Sequence, residues 1–134
     1  MSGDPGKDNG LVLSWLSSSL KISPVEQVNF LRKVVNRNLP LTAKAYDMTF
    51  RIMSSETLEN GWEIHGKTGT AAVVLPNGRD DEEHQYGWYV GWATKGQRTL
   101  VFARMVLDRR QEGYAGGRAK EALLRDMTTR LNSL

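Results

Sequence analysis

Tyr86-Gly-Trp-Tyr-Val-Gly-Trp92 alternates large and small residues with a period of two. That is the side-chain period of a β-strand. Trp88, Val90 and Trp92 fall on one face, and Gly87, Tyr89, Gly91 and Ala93 on the other. A face of glycines lets a second backbone or a ligand come close. Lys95-Gly96-Gln97 then reads as a tight turn, with Arg98 to Leu107 as the returning strand of a hairpin. Upstream, Trp62 to Ala72 reads as a further strand, separated from the hairpin by a polar loop over Leu75 to Gln85 that contains Pro76-Asn77-Gly78.

Before Trp62 the period changes. Ser23-Pro24-Val25-Glu26 is a helix start: Ser23 can cap, Pro24 suits the first helical position, and Glu26 can close a capping box. Val28, Leu31 and Val35 recur at helical spacing, with Phe30 and Val34 alongside, and the helix should end near Asn36 to Asn38, ahead of Pro40. A second helix should follow Thr42, carried by Tyr46, Phe50 and Met53, up to a turn at Asn60-Gly61. Leu11 to Leu20, with Trp15, reads as a short helix or an irregular segment after a turn-rich loop over residues 1–10. At the other end, Tyr114-Ala-Gly-Gly117 precedes a helix from about Arg118 to residue 132, with Ala119, Ala122, Leu123, Met127 and Leu131 as its apolar side. The expected organisation is therefore one α+β domain over residues 1–134: a helical part at 24–60, about three antiparallel strands at 62–108, and a closing helix at 118–132.

Composition narrows the chemistry. The chain has 134 residues and a net charge of +3, from 18 basic and 15 acidic side chains. The excess is scattered, and the nearest thing to a basic run, Arg109-Arg110, sits beside Asp108 and Glu112, so no nucleic-acid partner is expected. There is no cysteine, which excludes disulfides and thiolate catalysis. His65 and His84 lie in unrelated contexts without zinc-ligand spacing, so neither a metal nor another cofactor is expected. No apolar run reaches the ~18 residues of a membrane span, and the polar start is unlike a signal peptide. As written, the chain is expected in the cytoplasm.

Lys67-Thr68-Gly69 carries the chemical interest. Taken alone it reads first as a surface strand with an incidental lysine. At the end of a strand, however, its backbone could pair with an extended amide, while Lys67 and Thr68 suit a carboxylate and Gly69 leaves the approach clear.

Read together, His65-Gly-Lys-Thr-Gly-Thr70, Tyr86 to Trp92 and Thr99-Leu-Val-Phe-Ala103 resemble the C-terminal half of class D serine β-lactamases, the oxacillinases. Trp15-Leu16, Leu20-Lys-Ile-Ser23 and Glu26-Gln27 extend the resemblance over nearly the whole chain. It implies a partial β-lactamase and transpeptidase fold, with a β-lactam as the small-molecule partner. Lys67, Thr68 and Gly69 match the family's third active-site motif, and Thr70 the position whose backbone N–H forms half of the oxyanion hole. Arg118 is placed like the arginine that takes the β-lactam carboxylate in bidentate fashion; its plainer reading is a surface residue opening the last helix. Trp15 matches the tryptophan that hydrogen-bonds a carboxylated lysine, and reads otherwise as a core aromatic. Family members are periplasmic.

The chain departs from the family pattern in three motifs. The Ser-x-x-Lys nucleophile motif, Ser-x-Val and Tyr-Gly-Asn belong before this region, and no Tyr-Gly-Asn occurs in it. Ser18-Ser19-Leu20-Lys21 and Ser23-Pro24-Val25 fit the first two formally. Chance alone predicts roughly 0.5 Ser-x-x-Lys matches at this composition. Ser18 follows Trp15, whereas the family nucleophile lies far upstream, and Ser23 reads better as a helix cap. The expectation is a shortened relative without a nucleophile. On its own it would be inactive, would hold a β-lactam or a peptidoglycan-like carboxylate weakly if at all, or would act as a structural piece that pairs with itself through an exposed strand edge.

Overall fold

The computed structural model describes residues 20–110 and 112–131. Helices α1 (Pro24–Val35) and α2 (Ala43–Ile52) come first, then strands β1 (Ser54–Thr57), β2 (Glu63–Val74), β3 (Asp80–Lys95) and β4 (Arg98–Leu107), then helix α3 (Ala115–Arg130). The strands form one antiparallel sheet in the order β1-β2-β3-β4, and Lys21 adds a single isolated bridge residue. This is the expected α+β arrangement with one strand more than expected.

Each helix start has an identifiable cause. The Glu26 N–H donates to Ser23 Oγ at 3.3 Å, and the Glu26 carboxylate accepts from the Ser23 N–H at 2.8 Å. These bonds complete the capping box and hold the Glu26 carboxyl down at about 2. Thr42 caps α2 through Ala45 N at 3.2 Å, after α1 has ended at Asn36 and the chain has turned at Arg37 with φ 55°. The Tyr46 hydroxyl accepts from Leu39 N at 2.8 Å and donates to Leu39 O at 3.1 Å, which ties the connecting turn to α2.

Three boundaries differ from the sequence reading. Residues 54–57, expected to be helical, form β1, which pairs with Glu63–Gly66. Ser-Ser-Glu-Thr has no apolar alternation to announce a strand; pairing with β2 decides its conformation. Residues 80–85, expected in a polar loop, begin β3. The hairpin turns at Asn77-Gly78, with Gly78 at φ 79°, and the two exposed strands continue the ladder across a register shift between Ala72 and Val73. The last helix starts at Ala115, three residues before Arg118, because its cap is tertiary: Tyr114 makes no side-chain cap, and Thr70 Oγ1 accepts from Gly116 N at 2.8 Å.

The core lies between the sheet and α3. Ile64, Tyr89, Ala93 and Phe102 face Ala119, Met127 and Leu131, and Trp62 closes one end. Burying a side chain such as Ile64 stabilises by about 1.5–3 kcal/mol. Burial, with Glu56 nearby, pushes the Tyr89 phenol up to about 12, so it stays neutral within this core. On the opposite face Trp92 stacks on His65, with ring centroids 5.4 Å apart, and meets Phe50 of α2 at 5.1 Å. Leu31 and Val34 of α1 are buried, and this helix packs against β4 and β3.

The glycine face of β3 admits backbone as its sequence suggests. A Cβ on Gly87 would stand 2.1 Å from the Ala115 carbonyl carbon. Gly69, by contrast, has nothing within 4 Å of such an atom. Gly87→Ala is therefore expected to destabilise by about 1–3 kcal/mol, read as a lower urea midpoint at unchanged slope, while Gly69→Ala leaves the midpoint nearly where it was.

Candidate active-site wall on β2

Lys67, Thr68, Gly69 and Thr70 sit where β2 loses one neighbour. Pairing with β1 ends at Ser54↔Gly66, whereas pairing with β3 continues through Lys67↔Val90, Thr68↔Tyr89, Gly69↔Trp88 and Thr70↔Gly87. Among the described residues no strand covers the outer edge of β2 beyond Gly66.

In an antiparallel strand the N–H and C=O of one residue point the same way, and successive residues alternate. The His65 carbonyl lies against β3: a Cβ on Gly91 would meet it at 1.9 Å. By alternation, Thr68 and Thr70 direct their N–H and C=O groups to the open edge. The Lys67 ammonium agrees with this, since it donates to the Thr68 carbonyl at 2.9 Å.

The side chains divide between the two faces. Thr68 and Thr70 turn toward α3. Thr68 Oγ1 lies 2.7 Å from the Tyr114 hydroxyl, and Thr70 Oγ1 holds Gly116 N. Gly116 lies so close that a Cβ there would be 2.7 Å from the Gly69 carbonyl oxygen. Lys67 is exposed on the other face, at the rim of an open groove of about 650 Å³ lined by Tyr86, Trp88, Met105 and Leu107, with Leu20 and Ile22 at its side.

Arg118 has partners within the chain. Its backbone belongs to the turn of α3 that rests on Thr70, but its guanidinium turns to the end of β4. There Nη2 donates to the Asp108 carboxylate and Nη1 to the Glu112 carbonyl. The Asp108 side chain is 5% exposed and that of Arg118 28%. Burying a carboxylate without a partner is costly, so Asp108 claims the arginine. The structure thus gathers Lys67, Thr68, Gly69 and Thr70 at one edge and gives the charge of Arg118 another partner.

Trp15 and Ser18 lie outside the described residues. Ser23 Oγ is taken by the capping box, donating to Glu26 Oε2 at 2.8 Å. Sequence reasoning missed Tyr114 and Asp108. The available signal for Tyr114 was the Gly116-Gly117 pair, which allows close approach; Asp108, at a strand end among charged neighbours, gave none. Among the described residues no group of His, Asp or Glu could hold a metal ion.

Comparison with known proteins identifies the family. Residues 1–129 match the penicillin binding protein transpeptidase domain. The chain is 43% identical over 125 residues to beta-lactamase OXA-9 of Klebsiella pneumoniae, which covers 92% of the chain and 46% of that relative. Its structure is similar to that of the OXA-427 class D β-lactamase, with TM-score 0.81 and 41% identity over 98% of this chain and 54% of that one. It is also similar to the C-terminal domain of the Bacillus licheniformis BlaR penicillin-receptor, with TM-score 0.73 and 28% identity over 87% of this chain and 43% of that one. The chain therefore spans about half the length of the relatives it matches. It belongs to the penicillin-binding transpeptidase family, and corresponds to the C-terminal portion of that family's class D β-lactamases.

Proposed function

We propose that these residues form the ligand-binding wall of a β-lactam acyl-transfer site, and that on its own the chain holds a β-lactam without turning it over. The observation that carries the reading is the uncovered edge of β2 from Lys67 onward, with the Thr68 and Thr70 backbone directed into it. A β-lactam can lie along that edge as an added strand. When a serine Oγ attacks the lactam carbonyl and gives its proton to a base, negative charge grows on the carbonyl oxygen; when that intermediate collapses, the C–N bond opens and the lactam nitrogen takes the proton. The N–H of Thr70 is placed to donate to that oxygen, which lowers the energy of the tetrahedral intermediate. Lys67 supplies positive charge, and Thr68 a hydroxyl, for the ligand carboxylate.

Bond breaking needs a nucleophile next to a base. Ser18–Lys21 is the sole Ser-x-x-Lys in the sequence, and it comes just ahead of the Ser23 helix cap in the chain. The 134-residue chain is expected to hydrolyse a chromogenic cephalosporin no faster than buffer. Turnover that vanishes in Ser18→Ala but survives in Ser23→Ala would overturn this.

Binding without turnover also draws support from the likeness to a penicillin-receptor domain. Adding a penicillin at millimolar concentration is expected to shift the amide resonances of residues 67–70 selectively. Unmoved resonances would count against the wall as a binding site.

A second reading, pairing of the chain with itself, is favoured by the place of β4 at the sheet edge, with Leu100, Met105 and Leu107 exposed. Sedimentation at rising concentration is expected to show a heavier species; a constant monomer mass would remove this reading.

A further inference from the structure

We propose that Asp108 is a positioning residue of this site: it holds the Arg118 guanidinium in place, so that the donors left open meet a ligand carboxylate at the edge of β2. The proposal rests on the β-lactam-binding reading of β2, in which the family resemblance gives Arg118 to that carboxylate. It adds what orients the arginine.

A guanidinium carries five N–H donors in one plane. In Arg118, Nη1 donates to the Glu112 carbonyl and Nη2 to the Asp108 carboxylate. One N–H on each of the three nitrogens stays open. A planar group held at two points cannot turn without giving up a bond, so the direction of the open donors is set before a ligand arrives. The anchor is itself fixed: Asp108 N donates to Gln85 O at 2.8 Å, which ties its backbone to β3. Asp108 is also the one buried charged side chain among the described residues. Stranding it would be costly, so the pair persists when a ligand binds. The Asp108 side chain is 5% exposed and that of Arg118 28%, so the accessible side of the guanidinium is the side away from its carboxylate partner.

The backbone brings this group to the ligand edge. Arg118 N donates to Tyr114 O at 3.4 Å, within the first turn of α3. That turn rests on the edge strand at both ends: the Tyr114 hydroxyl lies 2.7 Å from Thr68 Oγ1, and Gly116 N donates to Thr70 Oγ1 at 2.8 Å. Asp108 then decides where the long side chain of Arg118 goes.

Two effects of Asp108 oppose each other. Its negative charge weakens the distant pull of Arg118 on an anion. Its bond removes side-chain freedom that a loose arginine would have to lose on binding. The distant pull is screened within about 8 Å at physiological salt. Direct charge-assisted bonds, at about 2.8 Å, depend instead on orientation. Orientation is therefore the larger effect, and removing Asp108 weakens the hold on the carboxylate although it raises the positive charge.

The experiment titrates the full chain with benzylpenicillin and with its methyl ester, following amide resonances and the side-chain N–H resonances of Arg118. In the parent the guanidinium signals are expected to be resolved from one another, because rotation is held. A single averaged signal overturns the proposal, and this result decides the matter even if a variant does not fold. Asp108→Ala is expected to merge those signals, to weaken binding of the acid about 3- to 10-fold, and to leave the ester within about 2-fold of the parent. Asp108→Asn keeps an oxygen acceptor of the same shape and is expected to recover binding of the acid to within about 2-fold. Arg118→Gln is expected to weaken the acid about 10-fold. Equal or tighter binding of the acid by Asp108→Ala overturns the proposal, since charge cancellation then outweighs orientation. Equal weakening of acid and ester marks a merely structural role and overturns it too, as does an Arg118→Gln variant that binds the acid like the parent. In each of these cases the wall reading stands if Lys67→Gln still weakens the acid. If the parent shows no saturable binding, or Lys67→Gln and Arg118→Gln both match it, the wall reading fails and takes this one with it.

Discussion

A single missing carbon at Gly87 sets the geometry around Lys67. Without a Cβ there, the Ala115–Gly116 backbone descends onto β3 and reaches across to β2, where Thr70 receives the Gly116 N–H. That bond does two jobs. It satisfies one of the donors that every helix start leaves open, and it fixes the first turn of α3 over the edge strand. Tyr114 then falls beside Thr68, and Arg118 is carried to the buried Asp108. Moving the helix start outward by the width of a methyl group would disturb all three contacts at once.

The same seating separates two kinds of positive charge. Arg118 is half-buried and paired with a buried carboxylate, a contact that joins the end of β4 to α3. Lys67 is exposed at the open edge and, among the described residues, its ammonium donates to the Thr68 carbonyl. The family resemblance gives both residues to the same ligand, and within the chain they have different partners. The difference is one of desolvation: an ion pair that is costly to break stays made, and an incoming anion has to meet the donors it leaves open.

Elements governed by local chemistry were readable in advance. The Ser23 capping box, the helix start after Thr42, the Gly96-Gln97 hairpin turn and the two faces of β3 depend on residues within a few positions of one another, and they appear where expected. What the sequence concealed depends on distant partners. β1 is polar and becomes a strand by pairing with β2; α3 starts early because Thr70, 46 residues upstream, caps it. The strand bearing Lys67-Thr68-Gly69 was legible from its alternation and its motif. The fate of Arg118 was not, since nothing near Asp108 in sequence marks it as the one charged side chain buried among the described residues.

The division of labour within such a site follows from what this portion contains. Holding a β-lactam requires backbone groups at a free strand edge, a cation and hydroxyls for a carboxylate, and these lie within a few residues of Lys67. Opening the lactam further requires a serine and a base one helix turn apart, a geometry that an edge strand cannot supply. Stabilisation of the developing oxyanion accelerates nothing until an attacking oxygen creates that charge. A wall of this kind alone therefore spends its interactions on the intact ligand. On the proposed reading, recognition and reaction are thus separable, and the charge at the edge of β2 serves the first of them.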